Sequence, residues 1–129
     1  MQQIPSFNEL IEKSVIEHWD LDALTDYKGK TLQYHDVARK IEKIHIMFEA
    51  SGVQKGDKIA LCGRNSSMWA AAFLATLTYG AVAVPILHEF TPDQIHNIVN
   101  HSEAKILFVG DVVATEIDTT KMPALEGIF

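Results

Sequence analysis

Three short apolar runs separated by two helical patterns constrain the fold of this chain more than any other feature. The runs cover residues 58–62, 82–86 and 105–109, and they show little alternation of polar and apolar residues. Strands of that kind are usually buried on both faces, as in parallel sheets. Residues 66–79 and 92–101, which lie between the runs, have helical spacing. The succession strand, helix, strand, helix, strand predicts an α/β fold. Its sheet is mostly parallel, with right-handed crossovers and helices on its faces.

A helix and a small hairpin are predicted before this region. Ser6 and Glu9 have the spacing of a capping box, so a helix should begin there. Apolar residues recur every fourth position along that helix and form one stripe: Phe7, Ile11, Val15 and Trp19. Residues 23–27 and 30–33 favour two short strands, with the turn at 28–29. The N-terminal part should therefore add one helix and one β-hairpin to the sheet.

The two helices on either side of the first apolar run differ in how much of their surface is apolar. The helix predicted over 34–50 has one apolar face, which consists of Val37, Ile41, Ile44 and Phe48. Gly52 stands where such a helix needs a left-handed C-terminal residue. The helix over 66–79 is apolar on nearly all sides, so we expect other structure to enclose it.

The composition indicates one globular domain and excludes several classes of protein. The 129 residues are 47% hydrophobic, and the formal net charge of −6 argues against binding to nucleic acid. Cys62 is the single cysteine, so an internal disulfide is excluded and a reducing compartment, the cytoplasm, is the simplest expectation. The stretch 68–87 is uncharged, but Gly80 and Pro85 interrupt it, so we expect no transmembrane segment.

The loop over residues 63–67 is a candidate binding site because it joins a strand to a helix N-terminus. Loops in that position bind anions and nucleotides through free backbone amides and the helix dipole. Gly63 is the only glycine in the loop, so the loop matches neither the dinucleotide nor the P-loop fingerprint. We favour the structural interpretation, in which Asn65 or Ser66 caps the helix and Arg64 lies on the surface. Arg64 stays a candidate for a remote anion site.

No other residue pattern amounts to a catalytic or metal-binding motif. Trp69 and the alanines at 70–72 could line a ligand slot, although close packing of a helix on a sheet explains them better. Cys62 lies in an apolar strand and is expected to be an inert core thiol. The six histidines lack metal-ligand spacing, so we expect them to be solvated or locally hydrogen-bonded: His18, His35, His45, His88, His96 and His101. We therefore assign no catalytic, cofactor-binding or metal-binding residue.

Four sequence motifs follow one another between residues 31 and 85. They are Thr31-Leu32-Gln33-Tyr34, Gly52-Val53-x-Lys55-Gly56-Asp57-Lys58-Ile59-Ala60, Asn65-Ser66-x-x-Trp69 and Gly80-Ala81-Val82-x-Val84-Pro85. Together they resemble the N-terminal region of the adenylate-forming (AMP-binding) enzymes, which include acyl-CoA ligases, luciferases and peptide-synthetase adenylation domains. The third motif is most similar to the long-chain fatty acyl-CoA ligases, and its Asn65 is expected to cap the next helix on physical grounds alone. Gln33 departs from the family, which usually has Ser or Thr as the helix cap.

The resemblance implies a longer parent protein. Residues 1–129 would be a single domain, the N-terminal subdomain of a larger AMP-binding domain whose C-terminal part is cut off. The parent would use ATP and Mg²⁺ to activate a fatty acid as an acyl-adenylate and would then transfer the acyl group to CoA. In the family, the phosphate loop, the adenine and ribose contacts and the C-terminal lysine all lie further along the chain. We therefore expect this fragment to be inactive and to hold no cofactor.

A piece of a larger domain should expose apolar surface that its neighbours would cover. We expect the chain to self-associate for that reason, with the helix over 66–79 as the main contributor. The alternative is a self-standing small α/β module that binds a nucleotide or a protein partner. A phosphate loop downstream of residue 129 would decide between the two interpretations.

Overall fold

The computed structural model describes residues 6–26, 29–63 and 66–129. Every helix and strand predicted above is present there, with ends that differ by one or two residues. The structure adds a short helix, one 3₁₀ turn and a two-residue strand near the C-terminus. In chain order the elements are α1 (Phe7–Glu17), β1 (Asp22–Thr25), β2 (Thr31–Gln33), α2 (Tyr34–Ala50), β3 (Lys58–Gly63), α3 (Ser67–Tyr79), β4 (Val82–Leu87), α4 (Pro92–Ser102), β5 (Ile106–Val109), α5 (Asp111–Ala114), the 3₁₀ turn (Thr119–Lys121) and β6 (Gly127–Ile128).

The predicted strands are parallel neighbours in one sheet of order β4-β3-β5-β6. Ile59 of β3 pairs with Ala83 on one side and with Ile106 on the other, and every pairing in this sheet is parallel. The hairpin is a separate two-stranded sheet in which β1 and β2 are antiparallel. These pairings confirm the predicted βαβαβ arrangement. Part of the predicted hairpin turn, Lys28, lies outside the described residues.

Alternate residues of β3 face two separate cores. Ile59 and Leu61 belong to the core shared with α2 and α3, whereas Ala60 and Cys62 belong to the core shared with α4. The chain therefore crosses from β3 to β4 on one face of the sheet and from β4 to β5 on the other. This doubly wound arrangement is the one in which parallel sheets are buried on both faces.

The amphipathic helix α2 buries the face that the sequence predicts. Its buried side chains are Val37, Ile41, Ile44 and Phe48, and the chain leaves it through Gly52 with a φ of 75°. At its start, the Gln33 N–H donates to Asp36 Oδ2 at 3.0 Å. The carboxylate of Asp36 thus satisfies a free N–H at the helix start, where Gln33 itself is a poor cap.

Helix α1 begins as predicted but does not bury its apolar stripe. The Glu9 N–H donates to Ser6 Oγ at 3.2 Å, and the Ser6 N–H donates to Glu9 Oε2 at 3.3 Å, which completes the capping box. Trp19 lies beyond the end of the helix, and it and Phe7 are exposed while the middle of the stripe is half-buried. The prediction of a continuous stripe through Trp19 is therefore wrong. The helix ends at Glu17 because the chain turns there into the hairpin, where the Trp19 carbonyl accepts the His35 N–H.

Helix α3 is buried or half-buried along its length except at Met68. Its small residues pack against the sheet and α2, and its large ones, such as Trp69, Phe73 and Leu74, are half-buried at the margin of the same core. Met68 is exposed, so the expectation of complete enclosure is wrong for that side. The helix stops at Gly80, whose φ of 91° favours glycine, and a Cβ there would lie 3.2 Å from Lys55 Cγ. Over the described ranges, no helix is long and apolar enough to cross a membrane.

A carboxylate fastens the hairpin to α3. Asp26 Oδ1 accepts the Ser67 N–H at 2.7 Å, and Asp26 Oδ2 accepts the Ser67 hydroxyl at 2.8 Å. These two bonds, the backbone bond first, lower the pKa of Asp26 below its ordinary value. The ionised carboxylate also lies at the positive end of the helix dipole. We call this pair of bonds the Asp26–Ser67 clasp.

Removing the charge of the clasp should weaken the fold in a pH-dependent way. Because the pKa of Asp26 is lowered on folding, its stabilisation is complete above the ordinary carboxyl range and is lost as pH falls through the lowered pKa. Asp26→Asn should therefore lower the Tm at pH 7, and the gap to the wild type should close as the pH approaches 3. Thermal unfolding across this pH range measures the gap. Asp22→Asn, exposed at the start of the preceding strand β1, is the matched control and should leave the Tm nearly unchanged.

The core between α2 and the sheet should depend strongly on Phe48, which is 0% exposed. Phe48→Ala should lower the free energy of unfolding by about 3–5 kcal/mol, since it leaves a cavity in a packed core. Ile46 lies on the same helix but is 58% exposed, so Ile46→Ala should change the free energy by less than about 0.5 kcal/mol. Urea unfolding followed by circular dichroism measures both variants. Equal losses in the two would contradict the assigned core, and Phe48→Leu should lie between them if the alanine variant does not fold.

Candidate functional site

The carboxyl ends of β3 and β5 lie side by side where the chain leaves the sheet on opposite faces. After β3 the chain enters α3 on one face, and after β5 it enters α5, where Val113 packs against the core on the other face. Open α/β sheets bind ligands at such a switch point. A cavity of about 830 Å³ lies here and has a largely apolar lining: Ile44, Met47, Leu61, Met68, Trp69, Ala72, Phe108, Val109, Val113 and Phe129.

Aromatic rings form much of the cavity wall. The rings of Trp69 and Phe73 are stacked, with centroids 5.2 Å apart and planes at 8°. Phe108 contacts Phe48 edge to face at 6.0 Å and Phe129 at 5.6 Å, so the wall continues into the core. Rings held by such contacts keep their positions without a ligand. The volume is within the range of small-molecule sites.

The polar side chains of the cavity are few: Cys62, Ser66, His88 and Glu116. Ser66 Oγ already accepts the Trp69 N–H at 3.1 Å. Glu116 has a carboxylic acid side chain, which does not attract an anionic ligand. Burial raises the pKa of the Cys62 thiol, so the thiol stays protonated at neutral pH. Cys62 is buried, as the sequence predicts. Within the described lining there is no lysine or arginine, so the cavity suits an apolar guest better than a carboxylate or a phosphate.

The start of α3, where the sequence placed a candidate anion site, is occupied by protein oxygens. Ser66 is the N-cap, so of the two capping candidates Ser66 is right and Asn65 is wrong. The Asp26 carboxylate takes the Ser67 N–H, so a phosphate at this position would meet a negative charge. Arg64 and Asn65 lie outside the described residues. The geometry therefore favours the capping interpretation of this loop and gives no support to an anion site.

The histidines are spread over several elements. His45 Nε2 lies 3.0 Å from both the Ala75 carbonyl oxygen and Thr78 Oγ1 and so connects α2 to α3. His35 Nδ1 lies 2.8 Å from the Trp19 carbonyl oxygen, and His96 Nε2 accepts a backbone N–H at 2.9 Å. In the part of the chain that the structure describes, no three His, Cys, Asp or Glu side chains form a group that could hold a metal ion. These three histidines make hydrogen bonds between separate elements, rather than the local bonds or solvation expected from the sequence.

The sequence analysis did not identify the cavity. Trp69 and Ala72, which the sequence offers as candidates for a ligand slot, do line the cavity. Met47, Phe108 and Phe129 come from three other elements, and no spacing along the chain connects them. The order of the strands in the sheet could have indicated the cavity, because it places the carboxyl ends of β3 and β5 next to each other.

Comparison with known proteins gives the family. The family model described as "AMP-binding enzyme" matches residues 11–128. The acyl-CoA ligase sidI of Aspergillus fumigatus is 24% identical over 105 residues, which are 81% of this chain and 18% of that protein. The putative acyl-CoA ligase YdaB of Bacillus subtilis is 32% identical over 80 residues, which are 62% of this chain and 16% of that protein. The chain thus spans less than a fifth of the length of these relatives.

A solved structure supports the fold. The anthranilate CoA ligase AuaEII, crystallised with anthranoyl-AMP, superposes with a TM-score of 0.89 at 20% identity, over 99% of this chain and 25% of that one. The fold is therefore that of the N-terminal region of an adenylate-forming enzyme. Because the family model covers nearly every residue described here, the chain belongs to the AMP-binding enzyme family.

Proposed function

We propose that this chain is the N-terminal subdomain of an ATP-dependent, AMP-forming acyl-CoA ligase of the cytoplasm. In the first step, a carboxylate oxygen of the acid attacks the α-phosphorus of ATP and pyrophosphate leaves. In the second, the thiol sulfur of CoA attacks the acyl carbon and AMP leaves. The first step creates the good leaving group that the second step needs. The observation that carries the proposal is the family match over residues 11–128, together with acyl-CoA ligases among the relatives.

We also propose which kind of acid is the substrate and which ligands of the parent are bound outside this chain. The third sequence motif favours a fatty acid as the substrate. We assign ATP, Mg²⁺ and CoA to no residue of this chain, since the described residues form no metal-binding group and the start of α3 carries the Asp26 carboxylate. The same carboxylate speaks against the alternative of a self-standing nucleotide-binding module that uses this loop. The chain would supply the parallel sheet and the apolar cavity.

The chain by itself should not activate an acid, because adenylation requires groups that position phosphates and neutralise their charge. The 129-residue chain is incubated with ATP, Mg²⁺, CoA and a fatty acid, and released pyrophosphate is measured against a blank without protein. We expect no difference. An established acyl-CoA ligase in the same assay is the positive control, and hydroxylamine traps any acyl-adenylate as a hydroxamate.

Two outcomes would contradict the proposal. Acid-dependent pyrophosphate release by the isolated chain would show that the phosphate-handling groups lie within it. A parent protein that contains this chain and yields no hydroxamate with any carboxylic acid would contradict the assigned reaction. Release of phosphate without hydroxamate would identify an ATPase instead.

We also propose that the isolated chain self-associates, although its exposed apolar side chains are spread over several elements rather than gathered on α3. Leu87, 63% exposed, lies at the end of β4, which is an edge strand of the sheet. Exposed apolar edges pair with other chains.

Light scattering over a dilution series should give a mass that rises above the monomer with concentration. Leu87→Lys should reduce this rise, whereas Ile16→Lys on α1, where Ile16 is 66% exposed, should reduce it less. A strict monomer at high concentration would contradict self-association.

A further inference from the structure

A buried histidine on α4 holds the segment that leads to the last strand. His96 is 4% exposed, and its Nε2 accepts the Asp118 N–H at 2.9 Å. Asn100, one turn along the same helix, donates through Nδ2 to the Lys121 carbonyl oxygen at 2.7 Å. The side chain of Met122, at the end of the 3₁₀ turn, is buried in the core beneath α4. The segment 115–122 is therefore held to α4 by polar and apolar contacts together.

The hydrogen bond from Asp118 fixes the protonation state of the ring. A ring nitrogen that accepts an N–H carries no hydrogen, so the imidazole is neutral and its hydrogen is on Nδ1. His96 Nδ1 is buried and has no hydrogen-bond partner among the described residues. The nearest carboxylate oxygen is Asp93 Oδ1, at 3.6 Å from Nδ1. The present geometry thus satisfies one nitrogen of the ring and leaves the other without a partner.

The charged groups around the ring are Asp93 on α4 and Asp118 and Lys121 on the facing segment. Lys121 Nζ lies 3.5 Å from the same Asp93 oxygen that is nearest to the ring. Hydrogen bonds from Thr120, the side-chain bond first, lower the pKa of Asp118, so this carboxylate stays ionised well below neutral pH. Two carboxylates and one ammonium group therefore lie around the ring, and their net charge is negative. This negative charge would stabilise an imidazolium once the ring had moved.

We propose that His96 is a pH-sensitive latch that releases the Asp118 backbone N–H from α4 when the ring takes up a proton. When Nε2 takes up a proton, it can no longer accept the Asp118 N–H. The N–H of Nε2 and the N–H of Asp118 then point at each other and repel. The ring must then turn away, and Asp93 is the carboxylate that can receive its Nδ1–H. The latched state is neutral and bonded to Asp118, while the released state is charged and paired with Asp93. This inference concerns the chain itself and does not rest on the proposed ligase activity.

Amide hydrogen exchange at Asp118 tests the latch between pH 8 and pH 5, the window in which histidines ordinarily change charge. After correction for the intrinsic effect of pH on exchange, protection of this amide should fall about tenfold, as for the loss of one net hydrogen bond. Nitrogen-15 spectra of the ring at pH 8 should show the hydrogen on Nδ1. A ring with its hydrogen on Nε2 at pH 8 would overturn the proposal.

Three variants separate the latch from a merely structural role. His96→Gln keeps an oxygen that can accept the Asp118 N–H but cannot titrate, so protection should become independent of pH. His96→Phe keeps the ring and removes the acceptor, so protection should be low at both pH values. His101→Gln, exposed on the same helix, is the control and should retain the pH dependence of the wild type. A pH dependence in His96→Gln equal to that of the wild type would overturn the proposal even if the phenylalanine variant did not fold.

Discussion

The burial of β3 on all four sides is the constraint on which the rest of this structure depends. Its backbone is paired with β4 on one side and β5 on the other, and its side chains alternate between two cores. A strand with no free face must be apolar along its whole length, as residues 59–62 are. It also requires helices on both faces, which the crossovers through α3 and α4 supply. The position of the cavity and the placement of the two parallel neighbours both depend on this one strand.

Polar contacts then determine how the outer elements attach to this centre. The Asp26–Ser67 clasp joins the hairpin to the start of α3, and Lys105 Nζ lies 3.0 Å from Asp57 Oδ2, which joins the turn before β3 to the start of β5. The clasp has a functional consequence as well as a structural one. It places a carboxylate at the helix terminus where an α/β protein could otherwise bind a phosphate. The Asp26 carboxylate therefore disfavours a phosphate at the start of α3.

Family membership and function rest on different observations. The match over residues 11–128 and the superposition on AuaEII establish the family and the fold. The activity is a proposal, because the relatives extend far beyond the matched segment. The apolar cavity and the occupied start of α3 are consistent with a subdomain that leaves phosphate chemistry to other parts of its parent. The His96 latch is a separate property of the face beneath α4.

The sequence by itself determined the elements and most of their ends. Helical spacing specified α2 and its buried Phe48, and capping residues such as Ser6 and Thr91 placed the starts of α1 and α4. These signals act over three or four residues, so a single segment contains them completely. Only the tertiary structure decided that Asp26 would bind a residue 41 positions away, that Phe129 would meet Phe108, and that His96 would accept the Asp118 N–H. Each of these contacts joins side chains or backbone groups from separate elements, and β6 is too short to show any period. Local patterns cannot encode them, because they exist only after the sheet has brought distant segments together.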